Sequence, residues 1–380
     1  MALSLCVTAR GEDVARAYNR LGFALLSQCR QSLAKTNYFL SPPGLAFTLS
    51  MVETGAKGET SRLIQTLLGA EDMAPEALNA LNKDLLARML ELDPKIKLEI
   101  ANSLWVDKSA ALKADFIADD KDAYDAEVCN VDLKNPATVG QINEWVSART
   151  HGKIARIVEA PLDPLLRVIL LNAIYFKGDW TTPFATNLTR DLPFTLMSGQ
   201  TVLHPRMSET GSFRYFEDET LQAVELPYSD GSVSMFIVLP KGPLDGLLSG
   251  LTLQKFERWT TQMPLRKGTL QLPKFRLSNE YNLREVLSAM GISPAFTPMA
   301  DFSGMSAEPL FIGWVKQKTY VEVNEQGTEA AAVTGVGVRA MAIRKEPRPF
   351  EMIVDHPFLI AIREKKTGLL LFLGAIFDPR

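Results

Sequence analysis

The sequence predicts a mixed α+β fold, because helical signals dominate its first third and strand signals dominate the remainder. Ser41 followed by Pro42 is typical of a helix N-cap and first turn. Farther along, short apolar stretches separated by turn residues, such as residues 221–226 and 233–239, indicate hairpins. Helices grouped before strands do not suggest the alternating order of a parallel βαβ sheet.

The individual elements are predicted from apolar spacing and from capping residues. The first helix carries apolar residues at three- and four-residue steps, at Val14, Tyr18, Leu21, Leu25 and Cys29. Further helices are predicted over residues 45–52, 77–92, 136–151 and 283–290, and the C-terminal strands over residues 358–362 and 369–377.

Size and charge limit the class of protein. The chain has 380 residues, 46% hydrophobic and 22% charged, which is ordinary for a soluble globular protein and allows one large core or two lobes. Its 41 basic and 44 acidic residues give a net charge of −3 without long runs of one sign. We therefore expect no nucleic-acid partner.

The cysteines and the N-terminus bear on the compartment. Cys6, Cys29 and Cys129 are far apart and odd in number, which favours buried free thiols over a disulfide framework or a metal site. Residues 1–10 lack a basic leader, so the protein is expected to be cytoplasmic, or extracellular if a leader was removed. No apolar run approaches the roughly 18 to 20 residues that span a bilayer, so no membrane partner is expected.

No recognisable enzyme motif accompanies the three histidines, His151, His204 and His356. The sequence has no HExxH pair, no GxSxG elbow, no P-loop and no dinucleotide-binding glycine pattern. We therefore expect neither an enzyme nor a bound cofactor.

Residues 325–341 stand out because small residues dominate them directly after a strand-like stretch. On composition alone they could form a flexible, exposed loop. Every second residue from Thr328 onward is uncharged and small to medium in size, whereas Glu329 and Arg339 fall in the other phase. Side chains of a strand alternate between its two faces, so the segment could also be a latent strand with one face suited to a core.

This segment closely resembles the hinge of the serpins, and matching blocks occur in order over nearly the whole chain. The blocks are Phe39-Leu40-Ser41-Pro42, Gly55-Ala56-Lys57-Gly58-Glu59-Thr60, Asn172-Ala173-Ile174-Tyr175-Phe176-Lys177-Gly178 with Trp180, Glu225-Leu226-Pro227-Tyr228, Leu272-Pro273-Lys274-Phe275, Asp301-Phe302-Ser303-Gly304-Met305, Val321-Glu322-Val323-Asn324 and Asp355-His356-Pro357-Phe358.

The resemblance implies a single serpin domain over residues 1–380, with about nine helices around three β-sheets and an exposed reactive loop at about residues 325–350. It also implies the partner, which is a serine protease or sometimes a cysteine protease. In the family, the protease cuts the loop and forms an acyl-enzyme, and the loop then inserts into the central sheet. Serpin loop insertion is itself a known example of strand addition and of switching by stored strain.

The resemblance also assigns roles to individual residues. The hinge would be Glu325, Gly327, Thr328, Glu329, Ala330, Ala331, Ala332, Val333 and Thr334. The shutter, a polar cluster that controls sheet opening, and the breach, where insertion begins, would comprise Ser41, Gly44, Asn172, Trp180 and Gln317. Gly44 and Gln317 depart from the serine and histidine that are common in the family. Glutamine does not titrate, so we expect no pH-sensed shutter.

The family's usual spacing from Glu325 puts the scissile bond at Met341-Ala342, with Arg339 and Arg344 as rivals. Met341 suits the apolar primary pocket of chymotrypsin-, elastase- or subtilisin-like proteases, whereas either arginine would suit a trypsin-like pocket.

The main alternative is a non-inhibitory serpin that acts as a chaperone or carrier, although the small-residue hinge favours an inhibitor. Some family members bind heparin through a basic helix. The matching region of this chain, residues 75–92, offers only Lys83 and Arg88, so we expect no heparin site.

The alternation of residues in the hinge leads to a testable prediction about which side chains would face the core. Replacing Thr328 or Ala330 with arginine is expected to convert an inhibitor into a substrate, because the charge would face the core during insertion. The measurement is the yield of covalent protease complex on denaturing gels. An unchanged yield would refute the assignment of faces.

Overall fold

The computed structural model describes residues 2–32, 36–71, 73–328 and 348–380, with backbone alone for residues 2–12 and for Thr328. Within them lie nine α-helices: α1 Ala2–Ser32, α2 Pro42–Gly55, α3 Gly58–Leu68, α4 Pro75–Leu90, α5 Ala114–Tyr124, α6 Ala137–Arg149, α7 Leu244–Ser249, α8 Leu253–Thr261 and α9 Arg284–Leu287. The α+β class predicted from the sequence is confirmed.

The same described ranges contain fifteen strands. They are β1 Tyr38–Leu40, β2 Ile96–Asp107, β3 Glu127–Val131, β4 Val168–Asp179, β5 Arg190–Thr195, β6 Thr201–Glu217, β7 Leu221–Tyr228, β8 Val233–Pro240, β9 Leu265–Pro273, β10 Phe275–Asn282, β11 Ile312–Val323, β12 Gly327–Thr328, β13 Phe350–Ile353, β14 Phe358–Glu364 and β15 Leu370–Ile376.

The strands of the described residues form two hydrogen-bonded sheets. One has nine strands in the order β1-β15-β14-β8-β7-β6-β9-β13, with β5 also on β6. The other has six strands in the order β10-β11-β4-β2-β3, with β12 also on β4. The long strand β6 pairs with β5 and β9 and, at its far end, with β7. It thereby connects β5 and β9 to β7 within the nine-stranded sheet.

The strands β2 and β3, which lie among the early helices, do not appear in the sequence prediction. β2 begins with alternating apolar residues, but Asn102 and Ser103 interrupt that alternation and are fully buried. The late helix predicted over residues 283–290 is regular only over α9. It then passes through a wider turn over Ser288–Ile292, where Gly291 has a φ of 107°.

The apolar side chains of β4 divide between two cores, because successive residues of a strand point to opposite faces. Val168, Leu170 and Phe176 join the large cluster that lies between the two sheets and includes residues of α1 and α2. Ile169 and Tyr175 join a smaller cluster on the other face, which residues of α6 and of the segment after it cover. The six-stranded sheet is therefore covered on both faces along β4.

The large core ties the two sheets together through aromatic rings. Phe372 of β15 is fully buried and stacks on Phe39, with ring centroids 4.7 Å apart. The same ring meets Phe176 of β4 edge-on at 5.9 Å. Motion of β4 is thus resisted by the packing of the nine-stranded sheet.

Two further properties concern cysteines and membranes. In the described part of the chain, Cys29 and Cys129 are free thiols, and burial raises the pKa of Cys29 to about 12. None of the described helices has both the length and the apolar character to cross a bilayer.

Removing the Phe372 ring is expected to destabilise the fold. Phe372→Ala should lower the free energy of unfolding by about 3–5 kcal/mol, because it leaves a cavity between the sheets. Urea denaturation followed by circular dichroism measures this change. Leu165→Ala is the control, since Leu165 is 72% exposed and its change should stay within about 0.5 kcal/mol. A loss below about 1 kcal/mol for Phe372→Ala would contradict the packing argument.

Candidate functional site

The candidate site lies along the line where β4 and β11 meet, which we call the seam. The two strands run parallel, and their paired residues extend from Ile312 opposite Val168 to Tyr320 opposite Tyr175. Both strands continue beyond that last pair. The sheet is therefore closed along the seam up to Tyr175 and Tyr320.

Directly after β11 the chain reverses in a tight hairpin. Asn324 and Gly327 form an antiparallel bridge around the turn at Glu325 and Gln326. The next two residues, the strand β12, pair antiparallel with Asp179 and Gly178 of β4. The hinge predicted from the sequence thus begins as an added strand of the six-stranded sheet.

Only glycine fits at position 327. Its φ is 148°, a conformation that L-residues with side chains rarely adopt. A Cβ there would lie 2.6 Å from the Asp179 Cα and closer still to the Gly178 carbonyl oxygen. These are backbone atoms that cannot turn aside, so Gly327 allows β12 to approach β4 closely.

Trp180, predicted to lie at the breach, holds the hairpin from β4. Its indole nitrogen donates to the Asn324 carbonyl at 3.0 Å, and its backbone N–H donates to the Gln326 carbonyl at 2.8 Å. The ring is 4% exposed and stacks on Tyr228 at 4.4 Å between centroids. Trp180 therefore lies directly against the turn that contains Glu325, and its role at a breach stays a prediction.

Glu325 anchors the turn by its side chain and its backbone. Its carboxylate accepts hydrogen bonds from the Thr189 hydroxyl at 2.8 Å and from the Lys274 ammonium at 2.9 Å. Its carbonyl accepts from the Phe184 N–H at 2.7 Å. Burial opposes ionisation of this carboxyl, but Lys274 and Thr189 outweigh it and the pKa is lowered. Glu325 is therefore held as a charged anchor.

Three residues predicted to belong to the shutter, Ser41, Asn172 and Gln317, meet in one buried chain of hydrogen bonds. The Gln317 amide accepts from the Ser41 N–H at 2.8 Å and donates to the Ser41 carbonyl at 2.9 Å. It also donates to the Asn172 oxygen at 3.0 Å, across the seam. Asn172 in turn donates to Asn102 of β2 at 2.8 Å, and Asn102 donates to the Tyr124 carbonyl at 3.3 Å. The chain links α2, three strands and α5.

Gly44 leaves space for this network. Its N–H donates to the Ser41 hydroxyl at 3.3 Å, which caps α2. A Cβ at position 44 would lie 2.4 Å from the Asn172 amide oxygen and too close to the Ile174 methyl group. A side chain at position 44 would therefore force Asn172 and Ile174 to move.

The predicted shutter and the predicted breach are separate clusters. Eight residues at strand spacing put Asn172 of β4 and Trp180, just after β4, roughly 26 Å apart. Sequence reasoning missed several of the residues that hold them. Asn102, Thr189, Phe184 and Lys274 received no role, although Lys274 belongs to one of the matching blocks.

Part of the predicted site lies outside the described residues. This applies to the rest of the hinge and to the scissile bond with its rivals: Glu329, Ala330, Ala331, Ala332, Val333, Thr334, Arg339, Met341, Ala342 and Arg344.

The steric constraint at the hairpin can be tested by Gly327→Ala. We expect this change to lift β12 off β4, because the added Cβ meets backbone atoms. Amide hydrogen exchange should then speed up at Trp180, whose N–H bonds to the neighbouring Gln326. Gly242→Ala is a matched control, since a Cβ there meets nothing within 4 Å. Equal exchange in both variants would show that the contact is not limiting.

This chain is similar in sequence to known proteins. Residues 16–379 match the family described as Serpin (serine protease inhibitor). The bovine leukocyte elastase inhibitor is 35% identical over 384 residues, covering 97% of this chain and 100% of that protein.

Two solved structures are similar in fold. Human thyroxine-binding globulin complexed with its hormone superposes with a TM-score of 0.89 at 26% identity, covering 97% of this chain and 99% of that one. Native protease nexin-1 with heparin gives a TM-score of 0.88 at 27% identity, covering 97% and 100%. With matching blocks along its length, this fold and this hinge, the chain belongs to the serpin family.

Proposed function

We propose that this protein inhibits a serine endopeptidase by trapping it as a suicide substrate. The protease cuts the segment after β12 and forms an acyl-enzyme, and the freed segment inserts into the seam with the protease attached. The observation that carries this proposal is that β12 already pairs antiparallel with β4 just beyond the closed seam. Insertion would only lengthen a strand that exists in the uncut protein.

The strand registers support insertion without sliding. Extending the pairing of β12 with β4 would bring Ala331 beside Tyr175, and extending the hairpin with β11 would bring it beside Tyr320. Tyr175 and Tyr320 already face each other. By the same two registers Thr334 would lie beside Asn172 of β4 and Gln317 of β11, which are also paired with each other. Each new residue would therefore enter between two present partners, and the strands need only move apart by about 4.8 Å.

The same registers would place the small, uncharged residues of the inserted strand on the face that points into the core. Ala330, Ala332 and Thr334 would lie beside Phe176, Ile174 and Asn172, whose side chains point into the core between the sheets. Their small size allows them to enter that core with little displacement.

Thr334 would arrive at the polar position of the shutter. Insertion separates the Gln317 and Asn172 amides, which hydrogen-bond each other across the seam. Leaving buried amides unpaired costs roughly 1–3 kcal/mol each. A threonine hydroxyl can both donate and accept, so Thr334 could satisfy either amide.

The energy available is sufficient for trapping. About a dozen new strand hydrogen bonds at roughly 0.5–1.5 kcal/mol net each would supply on the order of 10 kcal/mol. That is comparable with the stability of a typical domain, so it can support distortion of part of a protease.

We propose Met341-Ala342 as the scissile bond and a chymotrypsin-, elastase- or subtilisin-like enzyme as the target. An apolar side chain at Met341 suits such primary pockets, and a relative is named as an elastase inhibitor. Arg339 and Arg344 remain the alternatives and would direct the inhibitor to trypsin-like proteases.

The competing function is that of a carrier, because the similar thyroxine-binding globulin holds a hormone. The small residues of the hinge favour an inhibitor. We propose no heparin cofactor, since Lys83 and Arg88 of α4 are already paired with Asp122 and Asp84 at 2.5 Å and 2.8 Å.

The test is incubation with chymotrypsin, elastase and trypsin, followed by denaturing gels. We expect detergent-stable complexes with an apolar-pocket enzyme, and we expect Met341→Arg to move complex formation to trypsin. N-terminal sequencing of the released fragment should begin at Ala342. A start at Ala340 or Lys345 would instead identify Arg339 or Arg344.

Cleavage of the loop without formation of any covalent complex would contradict the proposal and would favour a carrier function. Glu329→Arg is a matched control for Ala330→Arg, because it adds the same side chain in the opposite phase of the strand. Complexes should persist in the control.

A further inference from the structure

Two tyrosine rings close the end of the seam next to the hinge. Tyr175 of β4 and Tyr320 of β11 are directly opposite each other, with ring centroids 5.8 Å apart and planes at 37°. They are 4% and 2% exposed. Because paired residues of neighbouring strands point to the same face, both rings lie on the side of the sheet that α6 covers.

Cations from two other elements hold this ring pair. The Lys153 ammonium, in the segment after α6, lies 6.0 Å from the Tyr175 centroid. The Arg276 guanidinium of β10 lies 5.2 Å from the Tyr320 centroid. The Tyr320 hydroxyl also donates to the Glu322 carboxylate at 2.9 Å. The rings are thus fixed in place from both sides of the seam.

The ring pair lies at the end of the seam that an inserting strand would reach first. β12 pairs with β4 as far as Gly178, and only Phe176 and Lys177 separate that point from Tyr175. Tyr175 and Tyr320 are also the last residues paired between β4 and β11. An advancing strand would therefore meet this ring pair as the first closed position of the seam.

The geometry points to a positioning role for Tyr175 and Tyr320: their ring contact is a clasp that sets the rate at which the seam opens from the hinge. The inference rests on the proposed insertion mechanism. Parting the strands by about 4.8 Å would carry the centroids well beyond the roughly 7 Å range of ring contacts. The clasp must therefore break before Ala331 can enter between Tyr175 and Tyr320.

The test measures uptake of a synthetic peptide with the sequence of residues 328–341 by the uncut protein, followed on native gels. Tyr320→Ala and Tyr175→Ala should each take up the peptide about three- to tenfold faster than the unchanged protein, since an aromatic pair is lost. Tyr320→Phe keeps the ring and loses only the hydroxyl. Its rate should stay within about twofold of the unchanged protein.

A second buried aromatic residue, Phe256, serves as a control that distinguishes general destabilisation of the fold from loss of the clasp. Phe256 of α8 is 1% exposed and contacts Phe23 and Phe236, away from the seam. Phe256→Ala should weaken the fold, as urea denaturation will report, without speeding uptake. The clasp is disproved if this variant speeds uptake as much as Tyr320→Ala, if Tyr320→Ala matches the unchanged protein, or if no variant takes up peptide.

Protease complexes of the same variants keep the two proposals distinct. If complexes form but the alanine variants do not take up peptide faster, the clasp is wrong and trapping stands. If no protease forms a complex but both alanine variants take up peptide faster, trapping is wrong and the clasp stands.

Discussion

The resting state of the six-stranded sheet depends on the hydrogen bond between the Gln317 and Asn172 side chains. Both residues are 1% exposed, and the bond crosses the seam between β4 and β11 in addition to their backbone ladder and the Tyr175–Tyr320 ring contact. In a dry interior an amide that loses its partner has no water to replace it. Separating the two strands at this pair therefore costs free energy unless another group replaces the lost partner.

That constraint explains why the surrounding residues are arranged as they are. Ser41 holds Gln317 through two backbone hydrogen bonds at the start of α2, a helix that is itself almost wholly buried. Gly44 leaves room for Asn172 to face the seam. On the other side, Asn102 fixes the second end of the Asn172 amide. Each residue of the network is thus oriented by a more rigid element behind it.

The sequence was sufficient for the fold class, because helix and strand signals are local and family motifs recur along the chain. Ser41, Asn172 and Gln317, singled out from the family resemblance, do lie in one hydrogen-bonded network, although their role as a shutter stays a prediction. The sequence was not sufficient for β2, because Asn102 and Ser103 are polar but fully buried and so interrupt the alternation of apolar and polar residues that predicts a strand. Nor could it reveal that Tyr175 faces Tyr320 or that Lys274 reaches Glu325. Those contacts join residues distant in the chain, and only the register of a folded sheet determines them.

The matching registers of β12 with β4 and with β11 also have a kinetic consequence. If insertion proceeds as proposed, no strand needs to slide, and the sheet would open one residue pair at a time from Trp180 toward Asn172 and Gln317. Contacts that are broken before the transition state, near Trp180, then influence mainly the rate of insertion. Contacts that form after it, near Val168, influence mainly the stability of the final state. Substitutions at opposite ends of one strand could therefore change the rate of insertion and the stability of the inserted state independently.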